Sequence, residues 1–198
     1  MLIDVLKLGM QANPEERIIH DYDRIARISA AFRYLQVRVA LTSGSWDLFH
    51  IGHAKYLEKV KEMTAGGVLI VGVDDDQKIK SRKGEDRPIV PCGERLELLT
   101  HIRYVDLVFL KNYDDPHQAL IKAVKPHILV LTDTSSYAKN NEEIKQLQEL
   151  LNQWQGLVEI LPRQAITSTS GRLREVVLKD RRKIIKRIEQ LSQQLEDA

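Results

Sequence analysis

Cysteine is almost absent from this sequence, and so are long apolar runs. Cys92 is the only cysteine, which excludes an intramolecular disulfide and a zinc site built from several cysteines, and fits a reducing compartment. No apolar stretch approaches the ~20 residues of a membrane span. Asp4 and Lys7 bring charge too early for a secretory signal. We therefore expect a cytoplasmic protein without a membrane partner.

An excess of one charge is lacking as well. The formal net charge is +2, from 30 Lys and Arg against 28 Asp and Glu residues, and both signs are mixed along the chain. Because no long basic tract stands alone, the charge pattern does not predict a nucleic-acid partner. The 43% hydrophobic and 6% aromatic content of the 198 residues allows an ordinary core in one domain with modest additions.

Short apolar runs alternate with helical patterns along most of the chain. We expect strands near Val37–Leu41, Val68–Val73, Val105–Leu110, His127–Leu131 and Leu157–Leu161. Each is followed by apolar residues at helical spacing. This alternation predicts an α/β fold, a Rossmann-like doubly wound five-stranded parallel sheet with helices on both faces.

Two helical patterns lie outside this alternation. Asn13 and Pro14 favour the start of a first helix, whose apolar stripe runs from Ile18 to Leu35. A last, highly charged helix is expected to reach about Leu195. We expect an N-terminal helical extension at 1–36, a central domain at 37–175 and a C-terminal helix at 176–198, with both outer helices as candidate homodimer contacts.

The stretch from Thr42 to His53, called here the signature turn, lies between the first expected strand and a helical pattern. Its glycine and hydroxyl residues let the backbone approach a ligand and offer hydrogen-bond donors. The following helix start adds unpaired N–H groups and partial positive charge, which favour phosphate. Gly52 between His50 and His53 leaves room close to the backbone.

His50 and His53 share one face of the first helical turn because they are three residues apart. They could be ordinary polar residues at a helix start. They could ligate zinc, although no third ligand is evident. The interpretation that we favour is that two imidazoles donate hydrogen bonds to a triphosphate during phosphoryl transfer.

Four other features admit both a structural and a functional interpretation. The basic loop of Lys80, Arg82, Lys83 and Arg87 is either a solvated surface or a cover over a polyphosphate. Arg103 is either a helix-dipole partner or a phosphate ligand. Residues 168–170 can cap a helix and bind an anion at the same time, and Asp133 is either a turn former or a contact to base or sugar.

Together these residues resemble the cytidylyltransferase-like nucleotidyltransferases, which carry a His-x-Gly-His signature. His50-Ile51-Gly52-His53 fits it, and Gly44-Ser45-Trp46-Asp47 stands where the family usually has Gly-x-Phe-Asp. The Lys83–Ile89 segment and the Glu94-Arg95 pair look like the adenylyltransferase domain of ADP-heptose synthase.

Two further blocks extend the resemblance to about 38–175. Arg103-Tyr104-Val105-Asp106 is similar to a block of the choline-, ethanolamine- and glycerol-phosphate cytidylyltransferases, and Ser168-Thr169-Ser170 is similar to the family's closing motif. Thr132–Tyr137 departs from the blocks that heptose and glycerol-phosphate enzymes carry there, in a region that helps to choose nucleotide and acceptor.

The resemblance implies a nucleotidyltransferase that moves AMP or CMP from an NTP to a small phosphorylated acceptor, such as a sugar or polyol phosphate, and releases pyrophosphate. It implies four catalytic residues: His50, His53, Lys83 and Arg103. The residues expected to bind the nucleotide are Thr42, Ser43, Gly44, Ser45, Trp46, Asp47, Gly52, Arg87, Asp133, Ser168, Thr169 and Ser170.

The resemblance also favours ATP over CTP, and we expect Mg²⁺ with the NTP, with Asp47 as a possible contact. Two other functions remain open from the sequence. One is a nucleotide-binding regulatory module without turnover, and the other is a zinc hydrolase that uses His50 and His53.

Overall fold

The computed structural model describes residues 13–133, 135, 140–165 and 169–196, without side chains at 169, 170, 172 and 189–196. The described residues form one six-stranded parallel sheet, with strand order β1-β4-β3-β2-β5-β6. The α/β Rossmann-like prediction is confirmed, with six strands instead of five. The strands are β1 Ile18–Ile19, β2 Val39–Gly44, β3 Val68–Asp74, β4 Leu107–Lys111, β5 Ile128–Thr132 and β6 Leu157–Leu161.

Helices cover both faces of the sheet, because alternate strand residues are apolar on each side. The front face packs on α2 and α4, and the back face packs on α1, α5 and α6. Leu41 and Val39 point to the back, whereas Ala40 between them points to the front. The helices are α1 Tyr22–Tyr34, α2 Ile51–Met63, α3 Asp76–Lys83, α4 Cys92–Thr100, α5 Ala119–Val124, α6 Asn141–Asn152 and α7 Thr169–Glu196.

The N-terminal segment differs from the extension expected from sequence. A short 3-10 turn at Pro14–Arg17 leads into β1, which pairs with β4, and α1 begins only at Tyr22. Its apolar stripe, including Ile25 and Phe32, is buried in the back core of the same chain. The extended Ile18-Ile19 pair adds the sixth strand. Because the apolar stripe of α1 is buried within its own chain, it is not available as an oligomer contact.

The basic loop expected after the second predicted strand is partly helical. Asp75 caps α3 by accepting a hydrogen bond from the Lys78 N–H at 2.6 Å, and Ile79 is fully buried beneath the helix. Basic residues in the last turn suit the negative end of the helix dipole. Gly84, with φ of 95°, ends the helix.

The connections leave the sheet in a pattern that creates crevices at its carboxyl edge. The chain passes to the front after β2 and β3, and to the back after β4 and β5. Connections therefore diverge between β2 and β5, and again between β3 and β4. Ligands in open parallel sheets bind where neighbouring connections diverge in this way.

Among the described residues, no helix has both the length and the apolar character needed to cross a membrane.

Candidate active site

The signature turn begins in the last three residues of β2 and continues beyond the strand, at the first of these divergence points. Trp46 and Leu48 adopt the left-handed region, with φ of 53° and 46°, which costs on the order of 1 kcal/mol for each non-glycine residue. The buried Trp46 ring is fixed by its indole N–H, which donates to the Gly72 carbonyl at 3.0 Å. Such strain persists where surrounding contacts enforce it, and it is common at functional sites.

The two signature histidines stack on each other at the start of α2. Their ring centroids are 4.0 Å apart, and the ring planes differ by 18°. Trp46 contacts His53 edge-on at 5.4 Å, and Phe49 packs against it at 5.3 Å. The pair is therefore held in one orientation by aromatic neighbours.

His50 is the N-cap residue of α2, and its Nδ1 accepts a hydrogen bond from the Gly52 N–H at 3.1 Å. In a neutral imidazole the other nitrogen then carries the proton, so His50 has Nε2–H as its donor. A Cβ on residue 52 would lie 2.9 Å from His50 Cε1 and 3.0 Å from Nδ1. Glycine is needed here because the His50 ring folds back over the helix start.

His53 is held neutral by its surroundings. Burial, with the neighbouring His50 ring and the positive charge of Lys83, lowers the pKa of His53 to about 4. Its Nδ1 is buried and has no hydrogen-bond partner among the described residues. A buried polar nitrogen without a partner is costly, and a ligand that reaches it would remove that cost.

Asp47 organises the loop that faces the turn. Its carboxylate is 1% exposed and pairs with the Arg87 guanidinium. It also accepts the backbone N–H of Ile89 at 3.1 Å and of Val90 at 3.0 Å. The Asp47 side chain thus binds protein, and it fixes the segment from Gly84 to Pro91 beside the signature turn.

Two more cations, one from the helix on each side of this segment, contact the signature turn. Lys83 donates to the Ser45 hydroxyl at 2.8 Å, and partial desolvation with the charges of Arg87 and Arg82 lowers its pKa. Arg95 is almost fully buried and donates to the carbonyls of Ser45 and Val90. The sequence marks Arg95 only as part of a family-like pair, and sequence reasoning missed its structural importance.

The structure brings most of the predicted site residues to one edge of the sheet. Those gathered at the carboxyl edge are Ser43, Gly44, Ser45, Trp46, Asp47, His50, Gly52, His53, Lys83, Arg87 and Asp133. Thr42 is close by, but its hydroxyl is paired with the Tyr56 hydroxyl at 2.8 Å inside the front core.

Arg103 is not brought to this edge. It lies between α4 and the amino end of β4, whereas the signature turn follows the carboxyl end of parallel β2. Its guanidinium is exposed and lies 5.3 Å from the Tyr104 ring centroid. The sheet therefore separates Arg103 from the histidines by about the length of a strand, roughly 17 Å.

The closing motif is only partly described. Ser168 lies outside the described residues, and Thr169 and Ser170 begin α7, without described side chains. Ala165, which comes shortly before them in the sequence, lies close to the start of α2. A Cβ on Gly52 would lie 3.4 Å from the Ala165 Cβ. Ala165 thus lies beside the glycine that separates the two histidines.

Sequence reasoning missed a second charged cluster at the same edge. Asp74 at the end of β3 pairs with Lys111 at the end of β4, with 3.1 Å between Oδ1 and Nζ, and also with Arg82. The sequence signal that could have indicated this cluster was Lys111, a charged residue directly at the end of a buried apolar strand. Among the described residues, no three His, Cys, Asp or Glu side chains form a group that could hold a metal ion.

The sequence matches known proteins across this whole region. The family model described as cytidylyltransferase-like matches residues 41–175. The chain is 42% identical over 128 residues to the bifunctional protein HldE of a Nitratiruptor species, covering 65% of this chain and 27% of that protein. HldE of Helicobacter pylori (strain G27) is 41% identical over 106 residues, 54% of this chain and 22% of that protein.

Solved structures show the same architecture. A lipopolysaccharide core biosynthesis protein from Thermoplasma volcanium GSS1 is 26% identical, with a TM-score of 0.50, covering 66% of this chain and 98% of that one. Pantoate-beta-alanine ligase from Francisella tularensis, complexed with beta-gamma ATP and beta-alanine, is similar in fold. Its TM-score is 0.58 at 16% identity, covering 78% of this chain and 69% of that one.

The chain spans about a quarter of the length of the HldE proteins that it matches. The family model, in contrast, matches more than half of this chain, and it includes the signature turn, the histidines and all strands from β3 to β6. This chain therefore belongs to the cytidylyltransferase-like nucleotidyltransferase family.

Proposed function

We propose that this protein transfers an adenylyl group from ATP to the phosphate of a sugar phosphate and releases pyrophosphate. The observation that carries the proposal is the stacked His50–His53 pair at the start of α2, with Lys83 and Arg87 on the facing segment. Two imidazoles and two cations at a helix N-terminus form a site suited to a polyphosphate.

The reaction needs positioning and charge stabilisation instead of a covalent intermediate. An oxygen of the acceptor phosphate attacks the α-phosphorus of ATP and forms a new P–O bond. The bond from the α-phosphorus to the bridging oxygen breaks, and that oxygen leaves with the electron pair as part of pyrophosphate. The enzyme holds both reactants in line and stabilises the charge that moves onto the leaving group.

The two histidines act as neutral donors in this proposal. The Gly52 N–H occupies His50 Nδ1, so Nε2–H of His50 points its proton away from the helix start, toward a phosphate oxygen. His53 is neutral because its pKa is lowered to about 4. Neutral donors suit a transition state because they strengthen as charge develops and do not hold the released pyrophosphate as an ion pair would.

Lys83 and Arg87 supply the positive charge. One side of the Arg87 guanidinium pairs with the Asp47 carboxylate. The buried Nε of Arg87 has no hydrogen-bond partner among the described residues. Desolvation, and then the charges of Arg87 and Arg82, lower the pKa of Lys83. An incoming polyphosphate would relieve the repulsion between these cations, which makes binding favourable.

We propose that Mg²⁺ arrives with ATP. The described residues do not form a group of three metal-ligating side chains, and the Asp47 carboxylate binds Arg87 and two backbone N–H groups. These residues do not fit a protein-bound magnesium centre. We therefore assign the ion to the phosphates, which is common for Mg²⁺, and assign no step to it.

The similarity of the Lys83–Ile89 segment to an adenylyltransferase domain and the likeness to HldE support ATP as the nucleotide. The structural neighbour named for lipopolysaccharide core biosynthesis supports a sugar phosphate as acceptor, because a saccharide is the product of that biosynthesis. We place the reaction in the cytoplasm, where ATP is available.

We also propose a homodimer that forms through α7. Val177, Ile184 and Ile188 on this helix are 63%, 60% and 57% exposed, which indicates an interaction surface. Antiparallel pairing with a second copy, centred on Ile184, would set Glu189 opposite Lys179 in the sequence. The helix has 28 residues and is about 42 Å long, enough for several such layers.

The test is pyrophosphate release from ATP or CTP with a panel of phosphorylated acceptors. The panel contains a heptose 1-phosphate, mannose 1-phosphate, glycerol 3-phosphate and flavin mononucleotide. We expect release with ATP and a sugar phosphate. Nucleotide binding without release from any pair would overturn the proposal, and faster turnover with CTP would overturn the assignment of ATP.

A further inference from the structure

A buried carboxylate outside the signature turn organises several cations at the same edge of the sheet. Asp74 is 3% exposed and ends β3. Its Oδ1 accepts from Lys111 Nζ at 3.1 Å, and its other oxygen accepts from Arg82. Burial alone would raise the pKa of Asp74, but Lys111 and Arg82 hold it below the usual range. The carboxylate is therefore charged, and it fixes two cations.

Two cations share the one buried carboxylate of Asp74. Lys78 lies near Lys111, since its Nζ donates to the Asn112 carbonyl at 3.0 Å, and Asp115, which accepts the Asn112 N–H at 2.7 Å, balances its charge. The Lys111–Arg82 pair therefore carries one positive charge that Asp74 does not balance. The charge of Arg82 also lowers the pKa of Lys83, after desolvation and Arg87, so the positive region continues to the signature turn. Surplus positive charge in a crevice attracts an anion.

Gly72 lets Lys111 reach toward the turn. A Cβ on Gly72 would lie 2.9 Å from Lys111 Cδ and 3.0 Å from Ser43 Oγ. The methylene stem of Lys111 therefore lies over the β3 backbone at Gly72, and it lies beside the Ser43 hydroxyl of β2. Gly72 is fixed in turn, because its carbonyl accepts the Trp46 indole N–H.

This cluster lies at the second divergence of the sheet. Asp74 is in register with Lys111, and Gly44 is in register with Val73. β4 is two strands from β2, or about 10 Å at the usual strand spacing. A ligand in the β3–β4 crevice can thus touch a ligand that is held by the signature turn.

We propose that Lys111 and Arg82, held by Asp74, bind the phosphate of the acceptor and present it to the α-phosphorus of ATP. This inference rests on the proposed function for the identity of its ligand. Lys111 contributes a point charge and Arg82 a planar fork, and both donor types suit a phosphomonoester. Asp74 is a positioning residue, because it acts through the two cations.

The test separates the acceptor from ATP. Steady-state kinetics with ATP and the best acceptor are measured for wild type, Lys111→Met and Lys111→Arg. Lys59→Met serves as the control, since its side chain is exposed and pairs with Glu62 on α2. Calorimetry with mannose 1-phosphate gives a readout that is independent of turnover, and circular dichroism confirms that each variant folds.

We expect Lys111→Met to raise the acceptor KM and the mannose 1-phosphate Kd by about tenfold or more, which is typical for losing a hydrogen bond to a charged group. The KM for ATP should change less than the acceptor KM, and Lys111→Arg should retain most of the affinity. Asp74→Asn should shift the acceptor KM in the same direction with little change in kcat.

Unchanged acceptor affinity in Lys111→Met, or an equal loss of ATP affinity, would overturn the subsite while the proposed function stood. Absence of mannose 1-phosphate binding to wild type would count against the subsite too. Conversely, Lys111-dependent binding of mannose 1-phosphate without pyrophosphate release from any pair would reject the proposed function and retain the subsite.

Discussion

The two edges of the sheet each hold a family-like charged block built around an aspartate. At the carboxyl edge Asp47 pairs with Arg87 and accepts two backbone N–H groups. At the amino edge Asp106 pairs with Lys61 at 2.5 Å and accepts the Leu69 N–H at 2.6 Å. Both aspartates connect segments that are distant in sequence, and their immediate contacts are alike.

The surroundings of the two aspartates differ. The carboxyl edge combines a stacked histidine pair with surplus cations. The amino edge has matched partners, because the Tyr104 hydroxyl donates to Glu58 and the Arg103 guanidinium lies near the Tyr104 ring. Under the proposed function, the block at the carboxyl edge serves ligands, whereas the block at the amino edge serves the fold.

Removing His53 should have the largest effect on turnover. We expect His53→Ala to lower kcat by at least about a hundredfold, the usual cost of one transition-state hydrogen bond. His101→Ala is the matched control, since His101 is an exposed histidine at the end of α4, at the amino edge. Pyrophosphate release at saturating ATP measures both. A His53→Ala variant that keeps most of the wild-type rate would contradict the proposed site.

Asp47 and Asp106 offer a second contrast. Each replacement by Asn breaks a pair and should reduce the free energy of unfolding, by about 3 kcal/mol for the buried Asp47 and less for the partly exposed Asp106. Asp47→Asn should also lower kcat/KM by at least about tenfold, because Arg87 loses its anchor. Urea unfolding and kinetics below the transition temperature separate the two effects. An equal loss of activity in Asp106→Asn would break the comparison.

Most of the fold was predictable because apolar runs and helical spacing are local signals. The strand at Leu157–Leu161 has the expected bounds. The strand at Ile18–Ile19 was not predictable, because two residues between polar neighbours carry little periodicity. It becomes a strand only because it pairs with Val108 and Phe109, far away in sequence.

The site was predictable where chemistry and position coincide, as at His50 and His53. Sequence could not separate Arg103 from Lys83, because both are cations next to a helix end. Only the direction of the chain through the sheet assigns them to opposite edges. The partnership of Asp74 and Lys111 was equally hidden, since the two residues are 37 positions apart.

The neutrality of His53 makes stability depend on pH at the carboxyl edge. Its folded pKa of about 4 lies below the ordinary 6.5, so the unfolded chain binds more protons between these values, and stability is lost as pH falls through that window. The loss is at most about 3 kcal/mol. Urea unfolding of wild type and His53→Asn at several pH values should show a steeper loss in wild type. Titration of the His53 ring near pH 6.5 by NMR would contradict this.

The proposed dimer should respond to charge on α7 while the monomer remains folded. We expect Ile184→Asp with Ile188→Asp to weaken association by at least about a hundredfold, because two apolar contacts are replaced by buried like charges. Tyr34→Asp is the control, since Tyr34 is 84% exposed on α1. Sedimentation velocity measures the result. A wild-type protein that stays monomeric at all concentrations would reject the dimer.

Arg103 should give the smallest effect, although the family resemblance placed it among the catalytic residues. Arg103→Ala removes an exposed cation at the amino edge, where its described contact is the Tyr104 ring. Such a contact is worth about 0.5–1 kcal/mol. We therefore expect a small loss of stability and a change in kcat/KM below about threefold, because no substrate at the carboxyl edge can reach it through the sheet. A loss as large as that in His53→Ala would mean that Arg103 reaches a site by another route, such as the active site of a second copy.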